Sequence, residues 1–509
     1  MFFRHATVFL TLTLATNMAL GQTRPTSPPA NAPGRSSSFD QGARNEKAIE
    51  TIEDFIVQLN EHNTVKGREE SKSYRLLFDA YLDLSDPPYE VSANFNQNTV
   101  HNAMDNWSVV SGWVESNSHM RQAILDSKDK LIVGLPYGQE NVPPTYQTNG
   151  ITCHFLRDGK MGRMVFEYFL PLETIATYAT AEVYRLMELG QTQDALDLAM
   201  AHIFVLRQFC DRDFLGEKMR SIEMLSMALR NVRDVFYVYH DQISLEQYRD
   251  ISFRELPFLR PDRNRLLMPE ADHILSAARL RFVFDDRTGQ ANPDEFAEAF
   301  AKVQSADEPL TRFGAARRWK FISTIHGSLD SSIDRLQLVY DDWWRRWRIE
   351  AYDPILSIET EFTRINPIRY AAVLYSMADI EGLFDIRNQL IAEVNGTAMA
   401  AGICGYLKSF NNYPRGSEMI YAHSVRKRSD VDPHDFNLSH FRYRVVSGRD
   451  AIDTPEGRLW IESGKGLLYS LGKDHEDDRA ANHTNNGDSG DVVIWPPIKA
   501  MQREQGLLD

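Results

Sequence analysis

The sequence predicts a mainly α-helical protein that ends in a smaller α+β module. Apolar residues recur at helical spacing through most of residues 44–395, which we call the helical body. Residues 396–509, the C-terminal module, instead carry short strand-like runs separated by Gly, Pro and Asp. The 509 residues are 43% hydrophobic and 25% charged, a globular composition with enough length for a sizeable core.

The N-terminus has the pattern of a signal peptide over residues 1–21. A short basic segment with Arg4 precedes the apolar run 6–20, and Ala19-Leu20-Gly21 fits a small-x-small cleavage site before Gln22. Residues 22–43 are rich in Pro, Ser, Gly and Asn, as in a disordered linker. No later run reaches the roughly 18 apolar residues that span a bilayer. We therefore expect an exported protein, periplasmic, cell-surface or extracellular, with no transmembrane segment after signal cleavage.

Charge and cysteine content narrow the class of protein further. The formal net charge of −15 argues against a general nucleic-acid binder, which would need basic patches, and it indicates no particular partner. An unknown protein or cell-envelope partner is the expectation. The three cysteines, Cys153, Cys210 and Cys404, allow at most one disulfide, whose pairing the sequence does not choose, and a buried free thiol is the favoured interpretation for each.

Helical periodicity defines the elements of the body. A helix is expected from near Arg44 to residue 59 and another over 71–84, followed by a loop-rich part over 87–168. That part should contain a helix at 119–130 and a β-hairpin over 151–168 turning at Asp158-Gly159. Residues 173–189 and 192–210 form a predicted helical hairpin, broken at Gly190. Further helices are expected at 217–240, 244–255, 270–281, 293–304, 330–350 and 368–395.

The C-terminal module is expected to pack one helix, 397–410, on a small antiparallel sheet. The predicted strands are 441–447, 458–462, 466–471 and 491–495. Between the last two lies an acidic loop rich in Asn and Gly. Its carboxylates are Asp474, Glu476, Asp477, Asp478, Asp488 and Asp491.

Carboxylates this crowded repel one another and raise each other's pKa unless a cation neutralises them. Calcium accepts about six to eight oxygen ligands from such flexible loops. The sequence therefore predicts a Ca²⁺ site here, although the spacing is not that of an EF-hand. A solvated acidic turn is the alternative interpretation.

The module resembles the soluble headpiece of the major pseudopilins of type II secretion systems. The resemblance is carried by Tyr413-Pro414, Asp432-Pro433, the strand around Tyr443, Leu468-Tyr469-Ser470-Leu471-Gly472 with Asp474, and then Asp488 and Asp491. It implies a calcium loop in which Asp474, Asp488 and Asp491 are side-chain ligands and Leu471 a carbonyl ligand. Asp477 and Asp478 have no counterpart in that family's loop, and we include them as further candidate ligands.

The resemblance is confined to residues 396–509. This chain lacks the Gly-Phe-Thr-Leu-Ile-Glu-type processing site and attached membrane helix of pseudopilins, so polymerisation is not implied. The whole chain is similar to exported proteins of planctomycete-type bacteria, and that likeness implies no particular activity.

Motifs of catalysis are absent from the sequence: no Gly-x-Ser-x-Gly elbow, His-Glu-x-x-His helix, Walker A loop or Rossmann glycine pattern occurs. The sequence therefore favours an exported, non-catalytic binding or structural protein with a calcium-stabilised module. The alternative is a secreted hydrolase with an acid–base carboxylate pair in the helical body, whose members sequence does not locate.

Three further groups of residues have both a functional and a structural interpretation. Trp343 and Trp347, one helical turn apart, suit a sugar-stacking platform or a core anchor, and the core is favoured. The Asp211-Arg212-Asp213 run suits a catalytic pair or a buried salt-bridge network. His434 and His440 lie near Asp432 and Asp435, which could indicate a transition-metal site. Their spacing is neither helical nor alternating, so we favour the interpretation that they are solvated loop histidines.

Overall fold

In the computed structural model, the fold can be followed through most of the chain after residue 51. The described residues are 52–88, 95–156, 162–257, 259, 265–285, 287–307, 312–349, 353, 358–421, 430–435, 437, 440–483 and 489–508. The predicted signal peptide, the linker, the turn at 158–159 and Asp488 lie outside these residues. The predicted class, mainly α with a C-terminal α+β module, is confirmed.

The first part of the body is a set of short helices with one β-hairpin. The helices are α1 (Ile52–Asn60), α2 (Tyr74–Leu82), α3 (Trp107–Ser116), α4 (Ser118–Ser127) and α5 (Pro144–Thr148). The predicted hairpin is present as β1 (Cys153–Leu156) and β2 (Arg163–Phe166), with Cys153 opposite Phe166. Burial alternates imperfectly along these two strands, because the hairpin lies at the edge of the core.

Three long helices form the centre of the body: α6 (Phe169–Glu188), α7 (Thr192–Phe209) and α8 (Leu215–Val238). The first two are the predicted helical hairpin, and α7 packs on both of its neighbours. Gly190 ends the first helix at φ +72°, a left-handed conformation that glycine adopts without a steric penalty. Its N–H donates to Met187 O at 3.0 Å, which satisfies one of the last carbonyls of the helix.

The second half of the body adds α9 (Leu245–Asp250), a π-helical turn (Ile251–Glu255), α10 (Ala271–Val283), α11 (Pro293–Asp307), α12 (Arg312–Ile325) and α13 (Leu329–Arg346). A reciprocal capping box between Ser244 and Gln247 begins α9. Helix α12 was not among the predicted helices. Its buried residues Ala315, Trp319 and Ile322 do have helical spacing, and they pack toward α11.

The predicted helices 368–395 and 397–410 are wrong in their boundaries. The structure has α14 (Ala371–Ser376) and then one 30-residue helix, α15 (Glu381–Phe410). The chain breaks at Met377, which is extended, and Asp379 Oδ1 accepts the N–H of Glu381 at 2.9 Å to begin the new helix. Helix α15 therefore runs without interruption through residues 395 and 396, where the boundary between body and module was expected.

The C-terminal module follows α16 (Ser417–Tyr421). It contains β3 (Arg442–Val445), β4 (Asp450–Thr454), β5 (Gly457–Ile461), β6 (Gly466–Ser470), β7 (Val492–Trp495) and α17 (Ile498–Glu504). An antiparallel sheet has the order β3-β6-β7, and β4 pairs with β5 as a separate hairpin. Strand β4 was missed by the sequence analysis, whereas the other four strands lie where they were expected.

Strands β6 and β7 are buried on both faces. Leu468, Val492 and Ile494 join the large core of the body, whereas Leu467 and Val493 join a small core formed with β4, β5 and α17. Successive side chains of a strand point to opposite faces, so each strand serves two cores. This is why both read as continuous apolar runs in the sequence.

Helix α15 and strand β7 approach closely at Gly396. A Cβ built at this position would lie 2.7 Å from Ile494 Cγ2, closer than any real contact. Glycine in a helix interior costs about 0.5–1 kcal/mol relative to alanine. Here that cost is offset by the packing of the sheet directly on the helix.

Helix α15 is long and apolar enough to cross a membrane by length and composition. Of its most apolar 18-residue window, 78% is buried inside the protein, as in the core helix of a globular fold. The three cysteines are all buried and none is in a disulfide.

Candidate functional site

The acidic loop leaves β6 and returns to β7 through a series of left-handed residues. His475, Arg479 and Ala480 have φ near +60°, and Gly472 and Gly490 have φ of +74° and +114°. Non-glycine residues with positive φ are uncommon and mark tightly bent backbone. The bends fold the loop back on itself, so that Asp474 near its start meets Gly490 near its end.

Asp491, immediately before β7, is the buried member of the group. It is 0% exposed, and its Oδ2 accepts the N–H of Ala480 at 2.6 Å. Its Oδ1 is also buried and has no hydrogen-bond partner among the described residues. Burial raises the pKa of Asp491 to about 7, and the negative charges of Asp477, Asp478 and Asp474 raise it further against the bond from Ala480.

Asp474, Asp477 and Asp478 lie around Asp491 but also fix the loop itself. Asp474 Oδ2 accepts the N–H of Gly490 at 2.7 Å, which ties the two ends of the loop together. Asp477 Oδ1 accepts the Tyr469 hydroxyl at 3.0 Å. Asp478 Oδ2 accepts from the Asn482 amide at 3.2 Å. The negative charges of these three aspartates therefore act together on Asp491. Each of the three also accepts a hydrogen bond from another residue of the module.

Leu471 is buried at the end of β6, where its N–H donates to Asp432 Oδ2 at 3.0 Å. Asp488 lies outside the described residues. Within the part of the chain that the structure describes, no group of three or more His, Cys, Asp or Glu side chains is arranged as for a bound metal ion.

His434 departs from the expectation of a solvated loop histidine, because it is only 2% exposed. Ser470 Oγ lies 2.9 Å from His434 Nδ1 and donates to Asp432 Oδ1 at 2.7 Å. Burial first, and then the nearby His475 and Lys473, lower the pKa of His434 to about 3. His440 is 54% exposed as expected, with Nδ1 2.8 Å from Asp430 Oδ2.

Serine, histidine and aspartate together invite comparison with a catalytic triad, but their geometry differs. In a triad the histidine lies between the serine and the acid. Here Ser470 lies between Asp432 and His434, whose closest nitrogen and oxygen are 3.7 Å apart, and all three are buried. The group joins β6 to the segment before β3 and gives no accessible nucleophile.

A buried ionic network occupies the centre of the body around the Asp211-Arg212-Asp213 run. Arg212 is 1% exposed, and its Nε donates to Glu217 Oε1 at 2.9 Å. Glu217 also accepts the hydroxyls of Tyr137 (2.7 Å) and Tyr168 (2.9 Å). The Arg212 guanidinium stacks over the Tyr137 ring at 4.0 Å. Because every charge is paired, the network is a structural element, as the salt-bridge interpretation proposed.

Asp213 belongs to a second part of this network, with His62. His62 Nδ1 lies 2.7 Å from Asp213 Oδ1, and Nε2 lies 3.4 Å from Glu270 Oε2. Burial alone would lower the pKa of His62, but the two carboxylates raise it to about 9. The imidazole is therefore charged at neutral pH and bridges α10 to the loop after α1. Asp211 lies apart, paired with Arg207 at 2.9 Å.

Trp343 and Trp347 are core residues, 0% and 5% exposed. Trp343 Nε1 donates to Glu381 Oε1 at 3.2 Å, and Trp347 Nε1 donates to Leu266 O at 2.7 Å. The core interpretation of this pair is confirmed, and neither ring is available to stack on a sugar.

Comparison of the chain with models of known families, with curated proteins and with solved structures finds no match.

Proposed function

We propose that this is an exported, non-catalytic binding or structural protein whose C-terminal module is stabilised by calcium. The observation that supports the proposal is the buried Asp491 Oδ1, which lacks a hydrogen-bond partner among the described residues while the negative charges of three other aspartates act on its carboxyl group. A buried charge without a partner is costly, and a divalent cation would remove that cost.

The residues available to such a cation are oxygen donors, as calcium prefers. Asp491 would be the inner ligand, with Asp474, Asp477 and Asp478 around it. Asp488 and the carbonyl of Leu471 are the further ligands that the resemblance implies. Bound calcium would supply positive charge to these carboxylates and hold the end of β6 to the start of β7.

The test is thermal unfolding of the mature chain with calcium and with chelator. A ligand that binds only the folded state raises the melting temperature by mass action. Calcium should therefore raise it in the wild type but not in Asp491→Asn, which keeps the acceptor for Ala480 and removes the charge. Glu476→Gln, exposed in the same loop, is the matched control and should keep the response. Equal melting temperatures with calcium and chelator would contradict the proposal.

Export has its own test. Mass spectrometry of the mature protein from its native host should give an N-terminus at Gln22, the residue after the proposed cleavage site. A chain that retains Met1 in the cytoplasm would contradict this part of the proposal.

The second candidate is the secreted hydrolase, favoured by two carboxyl groups of the body, the buried Glu381 and the half-buried Asp272. Burial raises the pKa of Asp272 to about 6 and that of Glu381 to about 7, the range that suits a general acid. Hydrolysis of a panel of chromogenic glycosides and esters, lost in both Asp272→Asn and Glu381→Gln, would support it. Equal rates in wild type and both variants would reject it.

A further inference from the structure

The β4–β5 hairpin has its two edges covered in different ways. On the β4 side the acidic loop runs alongside the strand: Asp453 N–H donates to Ala481 O at 2.8 Å, and His483 N–H donates to Asp453 O at 2.9 Å. On the β5 side, within the part of the chain that the structure describes, no backbone segment pairs with the strand. A single side chain, that of Gln505, takes its place.

Gln505 binds the edge of β5 as a residue of a neighbouring strand would. Its Oε1 accepts the N–H of Trp460 at 3.0 Å, and its Nε2 donates to Trp460 O at 2.8 Å. The side chain is exposed and follows directly on α17, where Gly506 at φ +69° turns the chain. We call residues 505–508 the tail. Hydrogen bonds this exposed exchange readily with water, so another donor and acceptor can replace them.

The outer edge of β5 extends beyond the residue that the tail covers. Because the N–H and C=O of Trp460 point away from β4, those of Arg458 and Glu462, two residues to either side, point the same way. The side chains of all three are exposed, whereas Leu459 and Ile461 between them are buried. An edge of this kind is a template for a strand of another chain.

The sequence of this edge is complementary to itself. When two copies of β5 pair antiparallel about a two-fold axis at Trp460, Arg458 of each copy lies opposite Glu462 of the other. The two tryptophans then face each other, and the outward backbone groups pair in register. Cross-strand pairs of opposite charge and of aromatic rings stabilise a sheet. Within one copy, Arg458 and Glu462 make only exposed ion pairs, with Asp453 at 2.6 Å and Arg449 at 3.4 Å, which contribute little.

We propose that β5 is a dimerisation strand and that the tail is an autoinhibitory cap on it. A second copy of this chain would replace the two bonds from Gln505 with a four-stranded sheet, continuous across the two-fold axis. Strands of five residues offer a smaller interface than the roughly 1,200 Å² of a stable complex, so the dimer is weak and the tail can control it. The proposal involves neither calcium nor catalysis.

Sedimentation equilibrium of the mature chain and of a chain ending at Glu504 tests the proposal. The truncated chain should dimerise about tenfold more tightly than the wild type, because two hydrogen bonds and the steric block by the tail are removed. Gln505→Ala keeps the tail and removes only the two bonds, so it should shift the equilibrium in the same direction. This variant decides the question if circular dichroism shows that the truncated chain does not fold.

Charge reversal then identifies the contact. In the more strongly associating of these two chains, Arg458→Glu places like charges opposite each other in both symmetric pairs and should weaken dimerisation about tenfold. Arg458→Glu combined with Glu462→Arg restores opposite charges across the axis and should restore the dimer. The combination also disrupts both ion pairs within each copy, so a purely intramolecular role of the two residues predicts further loss instead of recovery.

Arg220→Glu is the matched control, because it reverses the charge of an exposed pair with Glu173 on the body. It should leave dimerisation unchanged. The proposal is overturned if the folded truncated chain, or Gln505→Ala in its place, associates no more tightly than the wild type. It is equally overturned if Arg458→Glu and the double reversal dimerise alike, or if Arg220→Glu weakens the dimer as much as Arg458→Glu does.

Discussion

Asp491 combines two properties at one residue: it is fully buried, and the negative charges of Asp477, Asp478 and Asp474 act on it. Its folded-state pKa of about 7 lies above the usual value of 3.8. The folded state therefore binds the proton more tightly than the unfolded chain does. By linkage, the calcium-free protein loses stability as the pH rises from about 4 to about 7.

Calcium and protons should compete at this residue. We expect the calcium-induced rise in melting temperature to be larger at pH 8 than at pH 5, because the cation needs the ionised carboxylate. In chelator, Asp491→Asn should melt at a higher temperature than the wild type at pH 8 and close to it at pH 4. Differential scanning calorimetry at the three pH values measures both effects. A calcium response that does not change with pH would contradict the assignment of Asp491 as a ligand.

His62 makes stability depend on pH with the same sign as Asp491, but at higher pH. Its pKa is raised from 6.5 to about 9 by Asp213 and Glu270, so its ion pairs stabilise the fold fully below pH 6.5 and are lost as the pH rises through 9. The free energy of unfolding should therefore fall between pH 6.5 and 9, measured by urea titration. His62→Gln should flatten that profile, whereas His119→Gln, an exposed histidine of α4, should not. An unchanged profile in His62→Gln would show that the pairs contribute nothing.

At the scale of elements, the contact between α15 and β7 explains why residue 396, in the interior of a helix, is a glycine. Gly396→Ala places a methyl group against Ile494 and should destabilise the protein by about 1–3 kcal/mol, the usual cost of overpacking. Gly112→Ala in α3 meets no atom within 4 Å and should stabilise it by about 0.5–1 kcal/mol.

Chemical denaturation of the two variants measures this difference in sign. Ile494→Ala removes all three clashing atoms, so the cost of Gly396→Ala should be smaller in the Ile494→Ala background than in the wild type. Equal effects of the two alanines would show that the helix and strand are not in the contact described here.

The elements that sequence predicted well are those whose apolar period is local. Helices α6, α7 and α8 begin and end within a few residues of expectation, since Gly190 and the polar faces mark their limits. The break before α15 lies at residues 377–380, where Asp379 accepts the N–H of Glu381 and begins the new helix. Gly396 lies inside that helix, where it allows the close approach of Ile494 from a distant part of the chain. No local pattern reports such a contact.

The candidate sites also differ in whether their residues are neighbours in the sequence. The acidic loop could be found from its composition, because its carboxylates are neighbours in sequence. The pairing of His62 with Asp213 joins residues far apart in the chain. In the sequence, Asp213 looks like an ordinary surface charge, and only the packing of the helices buries it beside His62. His434 was misjudged for this reason, since its partner Ser470 belongs to another strand.

At the scale of the whole molecule, body and module share one core and one set of buried ion pairs. Glu393 of α15 pairs with Arg230 and Arg233 of α8, and those arginines lower the pKa of Glu393 to about 2 although burial alone would raise it. Arg503 of α17 binds Asp234 at 2.8 Å on the same helix α8. We therefore expect sheet and helices to unfold together.

Glu393→Ala tests this cooperation. It leaves two arginines without their carboxylate, and breaking a buried pair costs about 3–5 kcal/mol. Far-UV circular dichroism and tryptophan fluorescence should report one shared transition at a lower urea midpoint. The control Glu173→Ala removes an exposed pair with Arg220 and should cost less than about 1 kcal/mol. Separate transitions for the two signals would contradict a shared core.

The composition of α15 has a consequence for how the chain is made. While the polypeptide is still unfolded, this segment offers a lipid bilayer a stretch of the length and hydropathy of a membrane anchor. An ionised side chain near the middle of such a stretch opposes insertion, by about 2.5–3.5 kcal/mol for aspartate at the bilayer centre. Glu393 lies within this stretch, toward its N-terminal side. Before folding its carboxylate opposes insertion of the segment into lipid, and after folding Arg230 and Arg233 neutralise it.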